Sequence, residues 1–322
     1  MTGYHPQIVY HLAVAAVRVN FSLWHVLGRY LFSRNVVFSV SIVTFTFWRS
    51  LLSFVLLLLI ISSREEADGT GIHSFIKCFK TMRRVGAMVL LGTMGGTIYT
   101  LSLTFGLKLT TAAVVGCVQP LIPIGVIVLS TLLTHMDIPV KNPSSLRYSD
   151  LGWISAVLIG AAVFSGGLPY DLKSIIGISI LIIALISFAL FLLLQSIVMQ
   201  DLSPMAVTAA VHLVSAVEIA MLSPILAPNI VEESVFLFTQ IEWFLGLLFC
   251  VLLITIFNYL ILAITVQELG AFAVSIYGML QPALTSACVW VFYGGEIPPS
   301  VWIGCIFMVI SFLWRLLIHT TI

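Results

Sequence analysis

The chain is short of charge, and the little it has leans to neither sign. Only 8% of its 322 residues are Asp, Glu, Lys or Arg, and 14 basic against 13 acidic residues leave a formal net charge of +1. A soluble domain carries about 25% charged residues. With so few polar groups and 60% hydrophobic residues, the chain cannot cover a water-soluble globule and reads as an integral membrane protein. The missing basic excess excludes a nucleic-acid partner, and there is no acidic tail. Cysteine is sparse and scattered, at Cys78, Cys117, Cys250, Cys288 and Cys305. No Cys-x-x-Cys or Cys/His spacing argues for a metal, so buried thiols acting as small hydrophobes are expected, and no cofactor. The sequence also lacks HExxH, a paired intramembrane Asp, Gly-x-Ser-x-Gly and a Walker motif. Nothing therefore points to an enzyme or to ATP-driven work. A cleavable leader is not expected, because the first apolar segment is long and begins directly after MTGYHPQ.

What the chain does have is apolar length. Stretches near 8–31, 37–61, 84–106, 110–134, 150–168, 175–198, 204–227, 240–265, 270–293 and 299–319 are each long enough to be read as a spanning helix, about 20 residues being needed to cross a core of roughly 30 Å. An all-α integral membrane protein with ten transmembrane helices is the expectation. Lys and Arg orient it. Placing the N-terminus inside leaves Arg64, Lys77, Lys80, Arg83, Arg84, Lys141, Arg147 and Arg315 on the inner side, against Arg29, Arg34, Lys108 and Lys173 outside. That excess favours both termini inside.

Two stretches repeat. CVQPLIP occupies Cys117–Pro123 and MLQPALT occupies Met279–Thr285, in the fourth and ninth spans. Each follows a very short connection, LKLT or QELG, and Gly116 and Gly278 precede the proline at the same distance. Five spans is an odd number, so the second half must enter the membrane from the opposite side. The chain thus reads as two inverted five-helix repeats, residues 1–168 and 169–322, joined near GGLPYDLK. A proline inside a helix frees the carbonyl one turn earlier, which in lipid must find a partner or line a watery cavity. Gln119 and Gln281 bring an amide to the same depth. Either they face each other across a central cavity, or the prolines shape packing and each Gln bonds its own helix.

Other polar residues lie deep in the spans. His11, Arg18, Ser22, His25 and Arg29 fall within an arc of roughly 60° on the first helix, a stripe that must face the bundle or a path for water. Ser22 and His25 are the deep pair if Arg18 and Arg29 reach the two interfaces. Arg49 sits mid-way along the second span and is either an ion-pair partner of Glu218 or a direct ligand for a substrate carboxylate. Thr93, Thr97, Thr100 and Thr104 beside Gly95 and Gly96 suggest close helix packing. Thr255, Asn258 and Thr265 share one face of the eighth span, beside Tyr259, and Tyr277 lies one turn before Gln281. Trp24 and Tyr30 suit interface anchors.

WHVLGRYLF, TFWRSLLSFVLLLLIISSREE, VQPLIPIGVIVLSTL and the block NYLILAITVQELGAFAVSIYGMLQPALTSACVWVFYGGEIPPSVWIG together resemble the plant drug/metabolite transporters. These are the walls-are-thin-related proteins, including the UMAMIT amino-acid movers, built from two EamA-type repeats. The resemblance runs over nearly the whole chain. It implies ten helices, cytosolic termini and transport of small organic solutes such as amino acids or the auxin indole-3-acetic acid. It further implies that His25, Gln119, Asn258, Tyr277 and Gln281 line a central site. The sequence departs from the pattern where the fourth helix often closes on an acidic residue. LLTHMD stands there, while Glu296 remains after the ninth helix.

The expected function is secondary transport by alternating access, with a small-molecule solute and the lipid bilayer as partners, as a monomer or homodimer, in the plasma membrane rather than an internal one. A pocket of amides, His, Tyr, Thr and Arg49 suits an amino acid or an aromatic carboxylate. A nucleotide-sugar or phosphate-ester exchanger would want several cations, and the late helices offer only Arg315 near their edge. A channel or a non-transporting sensor is the alternative from another class.

Overall fold

A computed structural model describes residues 5–33, 39–63, 71–138, 140, 146, 148, 150–166, 171–294 and 297–320. Among them the chain forms α1 (His5–Ser33), α2 (Ile42–Ser62), α3 (Ile72–Lys77), α4 (Met82–Leu109), α5 (Ala112–His135), α6 (Asp150–Ser165), α7 (Leu172–Val198), α8 (Pro204–Leu226), α9 (Ile230–Thr239), α10 (Ile241–Leu269), α11 (Ala271–Tyr293) and α12 (Pro299–Thr320). Eight of these are long and apolar enough to cross a membrane: α2, α4, α5, α7, α8, α10, α11 and α12. The other two expected spans fall short for different reasons. At 29 residues α1 is about 43 Å long by the helical rise, but its polar stripe dilutes its hydropathy. The apolar α6 has 16 residues and lies along α12. All ten anticipated spans are thus helices. The additions are α3 and α9, short helices that fill the equivalent loops before α4 and before α10.

Local chemistry sets many of the ends. Ser41, Thr81, Thr111 and Asp171 cap α2, α4, α5 and α7, each side chain accepting an N–H three residues on. The short turn between α10 and α11 is made by Gly270 at φ 87°, a conformation that side chains with a Cβ rarely adopt. With ten alternating crossings, the start of α1 and the end of α12 share one face, called here the terminal face. The basic residues Arg34, Arg64, Lys141 and Arg147, and Glu296, lie outside the described residues. The cysteines behave as small hydrophobes: all are free and all but Cys288 are buried. Burial pushes the Cys78 thiol, in the loop on the terminal face, up to about 11.

Packing reveals the relation between the halves. Three pairs of equivalent helices pack on each other: α2 on α8, α5 on α11 and α6 on α12. The remaining contacts between halves come in exchanged pairs. Where α4 packs on α7, α10 packs on α1; where α5 meets α7, α11 meets α1; where α4 meets α8, α10 meets α2. A two-fold relation between inverted halves produces this pattern.

The irregular segments obey the same relation. A π-helical stretch interrupts α4 at Gly92–Ile98, and another interrupts α10 at Cys250–Phe257. Such bulges loosen the regular ladder and commonly sit at functional positions. Likewise α5 breaks at Gln119–Pro120, between Val118 and Leu121. In α11 the break is a 3-10 stretch, Ile276–Leu280, just before Gln281. Each proline removes the donor for the carbonyl four residues earlier, which is Gly116 or Gly278. The Gln N–H takes that carbonyl instead: Gln119 N donates to Gly116 O at 3.2 Å, and Gln281 N donates to Gly278 O. The freed carbonyls therefore find a backbone partner and do not open onto a cavity.

Candidate functional site

The two breaks meet at the crossing of α5 and α11. A Cβ on Gly116 would stand 2.9 Å from Thr285 Cβ and 3.4 Å from Gln281 O, and a Cβ on Gly278 would stand 3.1 Å from Gln119 O. Each glycine thus lets the other helix's Gln-Pro backbone approach. The matched spacing of Gly116 and Gly278 in the sequence has this cause.

Around the crossing, α1 supplies the polar stripe. Gln281 Nε2 donates to Ser22 Oγ at 2.7 Å and to Arg18 O at 3.1 Å. Thr285 Oγ1 donates to Ser22 Oγ at 3.2 Å and lies 3.3 Å from His25 Nδ1. Arg18 Nη2 reaches down to Val274 O at 3.2 Å, just before the 3-10 stretch of α11. These groups are all buried, yet His25 Nε2, Arg18 Nε, Gln119 Nε2, Gln281 Oε1 and Ser286 Oγ have no protein partner. Arg18 therefore stays in the bundle and does not reach an interface. Arg29 behaves as anticipated, donating to the end of α4 at Leu107 O (3.1 Å) and Lys108 O (2.6 Å).

A second polar group forms where α2, α4, α8 and α10 converge. Tyr259 Oη donates to Gly95 O at 2.7 Å, tying α10 to the π stretch of α4. Tyr99, Phe188, Phe191, Tyr259 and His212 follow one another with ring centroids 4.4, 5.9, 5.7 and 4.9 Å apart. Arg49 is buried within the electrostatic reach of Tyr99, Tyr259 and His212. Arg49 Nε, Thr255 Oγ1 and both ring nitrogens of His212 lack a protein partner. A Tyr259→Phe variant is expected to unfold about 1 kcal/mol more easily, since it strands the Gly95 carbonyl. Thermal unfolding in detergent that matches the unaltered protein would show that this bond does not hold the bulge.

The structure corrects several readings. No ion pair joins Arg49 to Glu218 among the described residues. Glu218 instead accepts from Thr93 and from Thr97, the latter at 2.5 Å, because the threonine face of α4 turns toward α8. Trp24 is no interface anchor. It is 1% exposed and stacks on Phe45 at 5.7 Å, beside Phe32 and Trp243. All six anticipated site residues, His25, Arg49, Gln119, Asn258, Tyr277 and Gln281, are buried, but they do not form one cluster. His25, Gln119 and Gln281 gather at the crossing, and Arg49 belongs to the second group. Asn258 bonds α10 to α1, its Oδ1 accepting from Asn20 Nδ2 at 3.0 Å. Tyr277 turns toward the terminal face, with its hydroxyl 2.7 Å from His11 Nδ1. The six anticipated residues include neither Tyr99 nor His212. Tyr99 lies off the spacing of the α4 threonines, and His212 lies on a mostly apolar stretch that leaves no periodic signal.

Two cavities open in the half away from the terminal face. One, of about 540 Å³, is lined by Leu23, Val26, Leu27, Tyr30, Phe249, Phe292 and Tyr293. The other, of about 300 Å³, adjoins it at Tyr293 and includes Arg29, Ser33 and Thr111. Neither is lined by the six residues above.

A model of the EamA-like transporter family matches residues 25–165 and again residues 175–317. The chain belongs to the EamA-like transporter family. Chains of solved structures match it as well. One, described only as the crystal structure of a protein, aligns over 96% of this chain and 96% of its own at a TM-score of 0.65 and 14% identity. At that identity the likeness concerns the fold. No curated protein matches the chain. As an EamA-like protein the chain is a multi-pass membrane transporter, and its two matched segments each hold one Gln-Pro break and one π-bulged helix.

Proposed function

We propose that this EamA-like protein is a secondary carrier, not an enzyme, that moves small organic solutes bearing a carboxylate, amino acids or relatives such as auxin, by rocking two repeats about the α5–α11 crossing. Residues 1–168 and 169–322 are taken as the two repeats, and the plant walls-are-thin-related branch as the nearest kin. The observation that carries the reading is the set of buried, unpartnered groups: His25 Nε2, Gln119 Nε2 and Gln281 Oε1 beside the paired breaks, and Arg49 Nε and the His212 ring in the second group near the bulges of α4 and α10. Buried polar groups in folded proteins are normally paired, so a concentration of unpaired ones at a helix break fits a site that a solute completes. The bulges in α4 and α10 would let those helices flex as the repeats rock. The plasma membrane is the proposed location.

Purified protein in proteoliposomes tests this. Preloaded unlabelled solute should drive uptake of labelled solute from a panel of amino acids and indole-3-acetate, and protein-free vesicles should show no such exchange. Uptake that is insensitive to preloading and ohmic in voltage would mean a channel, and no flux of any panel member would remove the carrier reading.

A further inference from the structure

Glu218 lies well inside the spanning helix α8 and is half-buried. A carboxyl group at that depth is costly and usually functional. No Lys, Arg or His nitrogen lies within 4.0 Å of it among the described residues. Its oxygens meet two hydroxyls of the α4 bulge instead: Oε1 contacts Thr93 Oγ1, and Oε2 lies 2.5 Å from Thr97 Oγ1. At this depth the elements packed on α8 bring Arg49 from α2, Tyr99 from α4, and Cys250 and Tyr259 from α10, while α8 itself brings His212. The other charged groups of α3, α4 and α10 stand at helix ends.

Counting hydrogens shows what the cluster lacks. Thr93 Oγ1 also lies 2.8 Å from Val89 O. A hydroxyl has one hydrogen, whereas a carbonyl and an ionised carboxylate only accept. With Glu218 ionised, Thr93 serves one of the two and leaves the other contact without a hydrogen. One added proton completes the set. Glu218 Oε1 then donates to Thr93, Thr93 donates to Val89 O, and Thr97 still donates to Glu218 Oε2, with no heavy atom displaced. Hydroxyls also continue inward from the carboxyl. Thr97 Oγ1 lies 3.3 Å from Ser215 Oγ, which lies 3.3 Å from Ser50 Oγ, next in the chain to Arg49. Each hydroxyl donates in either direction, so this row links Glu218 to the second polar group as a path for a proton.

We infer that Glu218 is a proton-binding site and that the carrier moves its solute together with one proton taken up there. Hydrogen bonds to an ionised group are the stronger ones. The carboxylate therefore clamps α8 of one repeat to the α4 bulge of the other, and the neutral acid holds it less. Protonation also removes a negative charge that a carboxylate solute would have to share the interior with. Solute and proton thus favour each other's binding. What the proton drives rests on the carrier reading; the proton site itself does not.

Two measurements test this. In the first, infrared difference spectra of the purified full chain are taken between about pH 5 and about pH 9. The carbonyl stretch of a neutral carboxylic acid should appear on the acid side, vanish on the alkaline side, and be missing throughout in Glu218→Gln. Thr93→Val, which keeps the carboxyl and serves if the glutamine variant does not fold, should shift the frequency of that band. No titrating band that Glu218→Gln removes, or an unshifted band in Thr93→Val, would overturn the inference. The second uses proteoliposomes in sodium-free buffer at zero membrane potential, with the outside more acid by about one pH unit. After subtraction of the leak into protein-free vesicles, a labelled panel solute should accumulate severalfold, up to about tenfold at one proton per solute. Glu218→Gln should not accumulate it. Exchange that ignores the pH gradient would overturn the inference and leave the carrier reading standing. A titrating Glu218 band without flux of any solute would leave the proton site standing and remove the carrier reading.

Discussion

Replacing Gln281 with alanine is expected to weaken solute affinity and transport about 5- to 150-fold while the protein still folds. The amide donates to Ser22 Oγ and Arg18 O, but the fold does not depend on it alone. Ser22 Oγ itself donates to Arg18 O at 3.0 Å, and Thr285 Oγ1 still donates to Ser22. What the substitution removes without a substitute is the unpartnered acceptor Gln281 Oε1. Leaving a desolvated partner on the solute unpaired costs about 1–3 kcal/mol, which corresponds to that range in affinity. Pro282 and the Gln281 backbone N–H remain, so the break in α11 persists. Uptake kinetics and thermal unfolding of the same variant decide the matter. Normal uptake would show that the repeated Gln-Pro pair acts only as a hinge, and a collapsed melting temperature with normal turnover per folded molecule would show a packing role.

Gly304→Leu is expected to do the opposite, removing folded protein before it touches the site. At the α6–α12 crossing a Cβ on Gly304 would stand 2.6 Å from Gly160 O, 2.7 Å from Phe164 Cβ and 2.8 Å from Phe164 N. Two of those atoms are backbone, so no rotamer change relieves the contact and α12 must move away. Membrane helices depend on such close approach, since lipid offers no hydrophobic drive to hold them together. Overpacking costs about 1–3 kcal/mol and at times more. Gly152→Ala in α6 is the control, because nothing lies within 4 Å of the added Cβ, and helix propensity favours alanine by about 1 kcal/mol. A Gly304→Leu protein as stable as the Gly152→Ala protein would show that the α6–α12 crossing is looser than the glycine contact implies.

Much of the site was legible because its signals are local. Pro120 and Pro282 mark a broken helix wherever they stand, and an amide beside each is visible without any neighbour. The stripe of Arg18, Ser22 and His25 announced itself by spacing alone. The partners were not legible. Arg49 and Glu218 offered opposite charges at plausible depths, yet the rotation of α4 gives Glu218 to Thr93 and Thr97 and leaves Arg49 with Tyr99, Tyr259 and His212. Tyr277 shares a face with Gln281, but α1 presents His11 to its hydroxyl. The bulge in α4 had a hint in GTMGG; the one in α10 runs through CVLLITIF and had none.

By itself the sequence determined the membrane class, the ten apolar helices, the odd-numbered duplication and the two breaks. Each depends on hydropathy or backbone chemistry within a single segment, and in lipid a segment must satisfy its own backbone whatever surrounds it. Tertiary structure decided the rest: that Gly116 and Gly278 seat each other's Gln-Pro backbone, that the bulges of α4 and α10 correspond, and that Glu218 goes to the threonines of α4 and not to Arg49. Those features depend on how each helix is turned about its own axis. That turn is settled by side chains far away in the chain, which single-segment periodicity does not encode.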